Sequence, residues 1–213
     1  MQTLVDKLYQ QLPPEQVHLN TVIHQISSDE DGLTAEGSQD DKTVFYDADY
    51  IIVALPPALA VASIQYHPRL PEKVFLAMRH THTWMAQAMK VFLVYDTPFW
   101  RKMGLSGHSI SHYGIVGEMH DASPHEQTFG VLFGFLSNSS RGRNMGDDER
   151  KQAIIAQVKR LYGWQANEVK VYAEYDWTYE TFTSTEGVAR ADLSEHPQYG
   201  DPLLQAPVMD GRL

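Results

Sequence analysis

The 213-residue sequence contains no cysteine. That excludes a disulfide scaffold, thiolate metal sites, a catalytic thiol and any cysteine-linked cofactor. No apolar run approaches the roughly 18 residues needed to span a bilayer. The amphipathic, charged stretch Met1–Leu12 does not have the form of a signal peptide. Basic residues are few: 17 Lys and Arg stand against 27 Asp and Glu, for a net charge of −10. Such a chain is poorly suited to phosphate backbones or anionic membranes, so neither nucleic acid nor membrane is an expected partner. No two glycines stand one residue apart, which leaves neither a Rossmann fingerprint nor a P-loop. A GxSxG nucleophile elbow is also absent. What is present is an ordinary globular balance, 43% hydrophobic and 21% charged, with a length that suits one large domain or one and a half small ones. The expectation is a soluble, cytoplasmic domain.

Periodicity places the elements. Leu4, Val5, Leu8 and Leu12 predict a helix that Pro13-Pro14 stops. Val17–Ile26 reads as a β-branched strand, followed by a turn at Asp29–Gly32 and short strands over Leu33–Glu36 and Thr43–Tyr46. The run Asp49–Leu55 is apolar on both faces and predicts a strand inside a covered sheet, ended by Pro56-Pro57. A short helix is predicted over 71–79, a long strand over Ala86–Tyr95, short strands within 105–119 and another strand over Thr128–Leu136. That last strand carries Gly130 and Gly134 on one face, where a backbone or ligand could approach closely. After a loop at 137–146, Asp147–Tyr162 predicts the best helix. It has acids in the first turn, Ile154, Ile155, Val158, Leu161 and Tyr162 as its stripe, and Gly163 as its stop. A final strand is predicted over Val169–Trp177. The fold class is α+β: a mixed β-sheet flanked by helices, with a small β-meander before it.

Ten histidines invite a metal reading. His80 and His82 could share a strand face, but His108 and His112 would lie about 13 Å apart along a strand, too far to share an ion. No HExxH or acid-flanked pattern accompanies them, so scattered surface histidines and no metal site are expected. Lys90 is less ordinary. Its strand face also carries Ala88, Phe92 and Val94, and the other carries Met89, Val91 and Leu93. A mid-strand ammonium among apolar residues must reach water, a partner or a cofactor. Both an edge lysine that snorkels outward and a functional amine fit the pattern. The aromatic residues Tyr175 and Trp177, with Tyr179 and Phe182 after them, fit either a core margin or the border of a ligand pocket.

Read in order, these segments resemble the flavin-containing amine oxidases, the group of monoamine, polyamine and L-amino acid oxidases. The resemblance rests on Val17–Ile26, Ala48–Pro57, Pro68–Pro71, Met89–Tyr95 and the characteristic Pro98-Phe-Trp-Arg-Lys-Met-Gly-Leu-Ser-Gly107. Val131–Phe135, the helix Glu149–Gly163 and Glu174–Trp177 also fit. The resemblance implies that residues 1–57 belong to an incomplete FAD-binding domain. Residues 58–185 would form the substrate-binding domain, and residues 186–213 a tail leading toward a further flavin segment. It implies that Val22 contacts FAD through its backbone and that the strand ending at Ala54 and Pro56 runs toward the cofactor. Lys90 would hold a water near the flavin N5, and Trp177 would lie near the flavin ring. Tyr179 and Gly187 would fall on the substrate side.

The implied reaction oxidises the C–N bond of a small amine or amino acid to an imine, with hydrogen peroxide as by-product. Departures from the pattern carry their own expectations. The family's glycine-rich motif and its closing flavin segment are not found in the chain. The resemblance therefore implies a fragment or truncated relative, inactive alone and not retaining FAD by itself. The flavin-linking cysteine of monoamine oxidases corresponds to Glu186 and the adjacent cage tyrosine to Gly187, so any flavin is held non-covalently. A complementing FAD-domain chain or self-association is the implied partner. A non-catalytic amine-binding or amino-acid-binding module and one half of a split oxidase are the alternatives.

Overall fold

The structure, a computed structural model, describes residues 2–136, 140–185 and 200–213. The chain divides into two compact units, residues 1–82 with 197–213 and residues 83–196. None of the helices among the described residues is long and apolar enough to cross a membrane.

The first unit opens with α1 (Gln2–Tyr9), an amphipathic helix that buries none of its residues. Strands β1 (Thr21–Ser28), β2 (Leu33–Gln39) and β3 (Lys42–Ala48) then form the expected antiparallel meander. Asp29 Oδ1 closes the first turn by accepting the amides of Asp31 and Gly32 at 2.9 and 3.1 Å. Asp40 and Asp41 close the second with φ of 50° and 61°, the paired left-handed conformation whose twist matches a hairpin. Helix α2 (Pro57–Ser63), strand β4 (Gln65–His67) and helix α3 (Glu72–His80) complete the sequence of elements. Because β4 pairs parallel with β1, the four-stranded sheet, in order β3-β2-β1-β4, is mixed. Its core is Ile26, Ala35, Ile64 and Tyr66, against which Met209 and Leu213 pack.

One expectation fails in this unit. Asp49–Leu55 is not a strand, and it is not buried on both faces. Ile51 and Val53 turn toward the core, and the Ile51 N–H donates to the Arg212 carbonyl at 2.9 Å. Tyr50 and Ile52, however, are 72% and 91% exposed. A two-faced apolar run becomes an inner strand only where ladders form beside it and layers cover it above and below. Among the described residues no strand pairs along it.

The second unit comprises β5 (Met89–Tyr95), α4 (Phe99–Lys102), β6 (Ser109–Ile110), β7 (Val116–Asp121), β8 (Gly130–Leu136), α5 (Ser140–Arg143), α6 (Asp147–Tyr162) and β9 (Val171–Asp176). Its five-stranded sheet runs β6-β7-β8-β5-β9. Every described pairing in it is antiparallel, so the parallel element of the expected mixed sheet lies in the first unit instead. Alternation along β5 buries Met89, Val91, Leu93 and Tyr95 on one face, where Ile154, Val158 and Tyr162 of α6 meet them. The α6 boundaries match the expected span, but its buried stripe differs. Leu161 is exposed, whereas Arg150 and Gln157 are buried.

Both buried polar residues of α6 are satisfied. Gln157 Oε1 accepts the amides of Ile115 and Val116 at 2.9 and 3.1 Å, and its Nε2 donates to the Val116 carbonyl at 2.7 Å. The Arg150 guanidinium grips the Glu174 carboxylate on β9 and donates to the Met145 carbonyl at 2.7 Å. The glycines of β8 serve close chain approach. A Cβ on Gly130 would stand 2.6 Å from the Thr97 carbonyl oxygen, and one on Gly134 would stand 2.8 Å from that of Glu118. The Pro98–Gly107 motif is likewise built around a core contact. Trp100 is fully buried and donates to Asp121 Oδ2 at 2.8 Å, with Arg101 Nε on the same oxygen at 2.6 Å. Gly107, with φ of 76°, passes so close that a Cβ would stand 2.7 Å from Asp121 Cβ.

Candidate functional site

The face of the five-stranded sheet opposite α6 carries the candidate site. Directly opposed residues of antiparallel strands share a face. The register therefore sets Tyr175, Lys90, Phe135 and Glu118 in one row across β9, β5, β8 and β7. Ala173, Phe92, Phe133 and His120 form the next row. Lys90 Nζ lies 4.5 Å from the centroid of Phe133, 5.2 Å from that of Phe135 and 5.4 Å from that of Phe92. All three are within cation–π range, so the negative ring faces partly replace the water that a half-buried ammonium gives up. The amine does turn away from the core, but onto an aromatic floor.

The β9 end of the floor is held firmly. Trp177 N–H donates to the Ala88 carbonyl at 3.1 Å, continuing the strand pairing by one residue. The indole meets the Tyr175 ring edge-on at 4.8 Å. The Tyr175 hydroxyl donates to the Glu180 carboxylate. That bond pushes the tyrosine's pKa up and the glutamate's down. Arg143 of α5 ties the segment together, donating to Asp176, to Thr178 Oγ1 at 3.2 Å and to the Gln87 carbonyl. Arg143 falls in the stretch 137–146 expected to be a loop, and nothing in its sequence surroundings marks it.

The structure thus brings Lys90 and Trp177 together around Tyr175, and it leaves Tyr179 78% exposed beyond them. Val22, Ala54 and Pro56 lie in the first unit. Val22 is exposed on β1, Ala54 is exposed, and Pro56 immediately precedes α2. Gly187 and Glu186 lie outside the described residues. The Lys90 floor fits the ring end of a flavin, offering planar aromatic surface and a hydrogen-bonding cation beside it. Neither the sequence nor the structure of the described residues offers a glycine-rich strand-to-helix turn for the pyrophosphate end.

Comparison with known proteins decides the family. The family model described as flavin containing amine oxidoreductase matches residues 1–212. The chain belongs to this family. Putrescine oxidase of Kocuria rosea is 32% identical over 152 residues, covering 70% of this chain and 31% of its own length. The L-amino acid dehydrogenase of Synechocystis is 31% identical over 181 residues, covering 80% of this chain and 37% of its own. Among solved structures, wild-type putrescine oxidase bound to putrescine superimposes with a TM-score of 0.76 at 32% identity, covering 86% of this chain and 40% of that one. Cyclohexylamine oxidase of Brevibacterium oxydans, at 21% identity and a TM-score of 0.74, shares the fold over 97% of this chain and 44% of its own. The chain therefore spans well under half the length of these amine oxidoreductases. FAD is the cofactor of the family, and its members act on different amines.

Proposed function

We propose that this chain supplies the substrate-binding part, and a portion of the FAD-binding part, of an FAD-dependent amine oxidase acting on a small amine or amino acid. The observation that carries the reading is Lys90, poised over three phenylalanine rings on the sheet face opposite α6, in a chain whose family match is nearly end to end. When bound, FAD supplies the two-electron chemistry, taking a hydride equivalent from the amine-bearing carbon and passing the electrons to dioxygen. The residues of this chain position and desolvate. Lys90 Nζ holds a water beside the reacting centre, and the phenylalanines exclude bulk solvent around it. Trp177 and Tyr175 present flat surface against which a ring or alkyl chain can lie.

In this proposal residues 1–57 belong to the flavin-binding part, with Val22, Ala54 and Pro56 along the cofactor, and residues 58–185 to the substrate-binding part. The packing of Met209 and Leu213 on the core that holds Ile26 and Ala35 supports placing the tail with the flavin-binding part. Helices α2 and α3 pack in that same unit, so the proposed functional boundary at 57 precedes the packing boundary at 82. Retention of FAD by this chain alone is expected to be weak, since its sequence carries no glycine-rich turn for the pyrophosphate.

The test is amine-dependent peroxide formation by the flavin-loaded protein, prepared by co-expression with neighbouring reading frames and with any contiguous coding sequence. Primary amines, diamines and L-amino acids form the substrate panel. Peroxide from one of these classes is the expected result. A flavin-loaded protein that turns over none of them would sink the proposal.

A further inference from the structure

The far end of the same sheet face carries a cluster with a different chemistry. We propose that His108, Glu118 and His120 form a binding site for a divalent transition-metal ion of the zinc class. Their ligand atoms all lie within 4.8 Å of one another. His120 Nε2 is 3.0 Å and His108 Nε2 3.7 Å from the same Glu118 oxygen. Ligands about 2.0–2.1 Å from a tetrahedral ion stand about 3.4 Å apart, so the trio needs only small side-chain rotations to close on one. Two imidazoles and a carboxylate suit zinc or its first-row neighbours rather than magnesium or calcium, and they leave a fourth position to water.

The backbone prepares the arrangement. Glu118 and His120 are two apart on β7 and share its outer face, and Glu118 opposes Ile110 on β6. A bulge between Val116 and Glu118 resets the strand so that both side chains turn to that face. His108 enters from the start of β6, and the peptide that leads into it is anchored through both its N–H and its carbonyl. Its N–H donates to Ser106 Oγ at 3.2 Å, and the preceding Gly107 carbonyl accepts the Tyr162 hydroxyl at 2.9 Å. His120 stacks on Phe133 with centroids 5.0 Å apart and planes 21° apart, which limits the orientations of its ring. A net charge of −10 favours cation uptake generally.

The expectation of no metal site considered histidine pairs within one strand. This trio is assembled across two strands, and its only sequence trace is the alternation Glu118-x-His120. It adjoins the Lys90 floor through Phe133, on which His120 stacks and which Lys90 faces, but none of its three ligands has a role in the oxidase reading, so the failure of either leaves the other intact.

Calorimetric titration of the metal-free chain with Zn²⁺ tests the proposal, with Co²⁺ as a spectroscopic probe. One saturable Zn²⁺ per chain is expected, with Co²⁺ giving visible bands of a low-coordinate nitrogen–oxygen site. His108→Ala and Glu118→Gln should each weaken binding by about tenfold or more, whereas His112→Ala should leave it unchanged. His120→Ala should act as His108→Ala does. If loss of the Phe133 stack unfolds that variant, the exposed His108 and Glu118 substitutions decide. Absence of saturable uptake, or uptake that His108→Ala and Glu118→Gln leave unaltered, would overturn the site and reduce the trio to an ordinary ion-paired cluster.

Discussion

Two residues show how differently a polar group can be used in one sheet. Asp121 is structural. Burial raises its pKa, but hydrogen bonds from Arg101, Ser123 and Trp100 outweigh that and bring it from 3.8 down to about 2. A carboxylate depressed in the folded state stabilises the fold above its unfolded pKa and loses that contribution as pH falls through the folded value. Between about pH 4 and pH 2 the chain should therefore lose roughly 1–2 kcal/mol from this group, allowing for solvent near the site. Asp121→Asn should flatten that part of the stability profile, measured by urea denaturation followed through tryptophan fluorescence. An unchanged acid limb would show that other carboxylates dominate. Lys90, by contrast, gives the fold little. Lys90→Met exchanges a cation–π contribution for relief of ammonium desolvation, and the chain's stability should change by about 1 kcal/mol or less. In the flavin-loaded protein the same substitution should cut amine-dependent peroxide formation by roughly a hundredfold, through loss of a positioned water. Equal, small effects on both measurements would make Lys90 a surface residue. Its unusual position was legible from alternation alone. The aromatic floor beneath it was not, because Phe133 and Phe135 reach it only through the pairing of β5 with β8.

At the scale of elements, legibility followed locality. Helix α6 could be read to its ends because acids, stripe and terminal glycine all lie within one segment. Asp49–Leu55 could not, because whether an apolar run becomes a strand depends on partners that are remote in sequence. The buried stripe of α6 departs from its apolar periodicity. Arg150 looks like a solvent residue, yet it is 5% exposed because Glu174 of β9 meets it, so an ion pair rather than an apolar contact joins that end of the helix to the sheet. Removing one partner leaves the other charge buried. Arg150→Met should cost about 3–5 kcal/mol in denaturant unfolding. The double replacement Arg150→Met with Glu174→Leu should recover much of that loss, since an apolar pair of similar volume needs no desolvation. Additive losses in the double variant would mean that the two residues act separately.

On the scale of the whole molecule, each unit has its own core. The first unit also leaves apolar side chains in solvent. Leu4, Val5 and Leu8 of α1, with Tyr50 and Ile52 beyond β3, are all more than half exposed. Surfaces of this kind promote association, so light scattering should show mass increasing with concentration. Leu8→Glu together with Ile52→Glu should reduce that increase. A strict monomer at high concentration would contradict this expectation.

The amino-acid sequence alone determined the absence of thiol chemistry, the β-meander, the long helix, the family and the singular position of Lys90. These depend on composition, on periodicity and on residues adjacent in the chain. Tertiary structure alone decided that Trp100 and Gly107 close on Asp121, that Gln157 and Arg150 are buried, that Asp49–Leu55 is not an inner strand, and that His108 meets Glu118 and His120. Each of these depends on whether a contact forms across strands or between a helix and a sheet. Side-chain spacing within one segment carries no information about the register that brings two segments together.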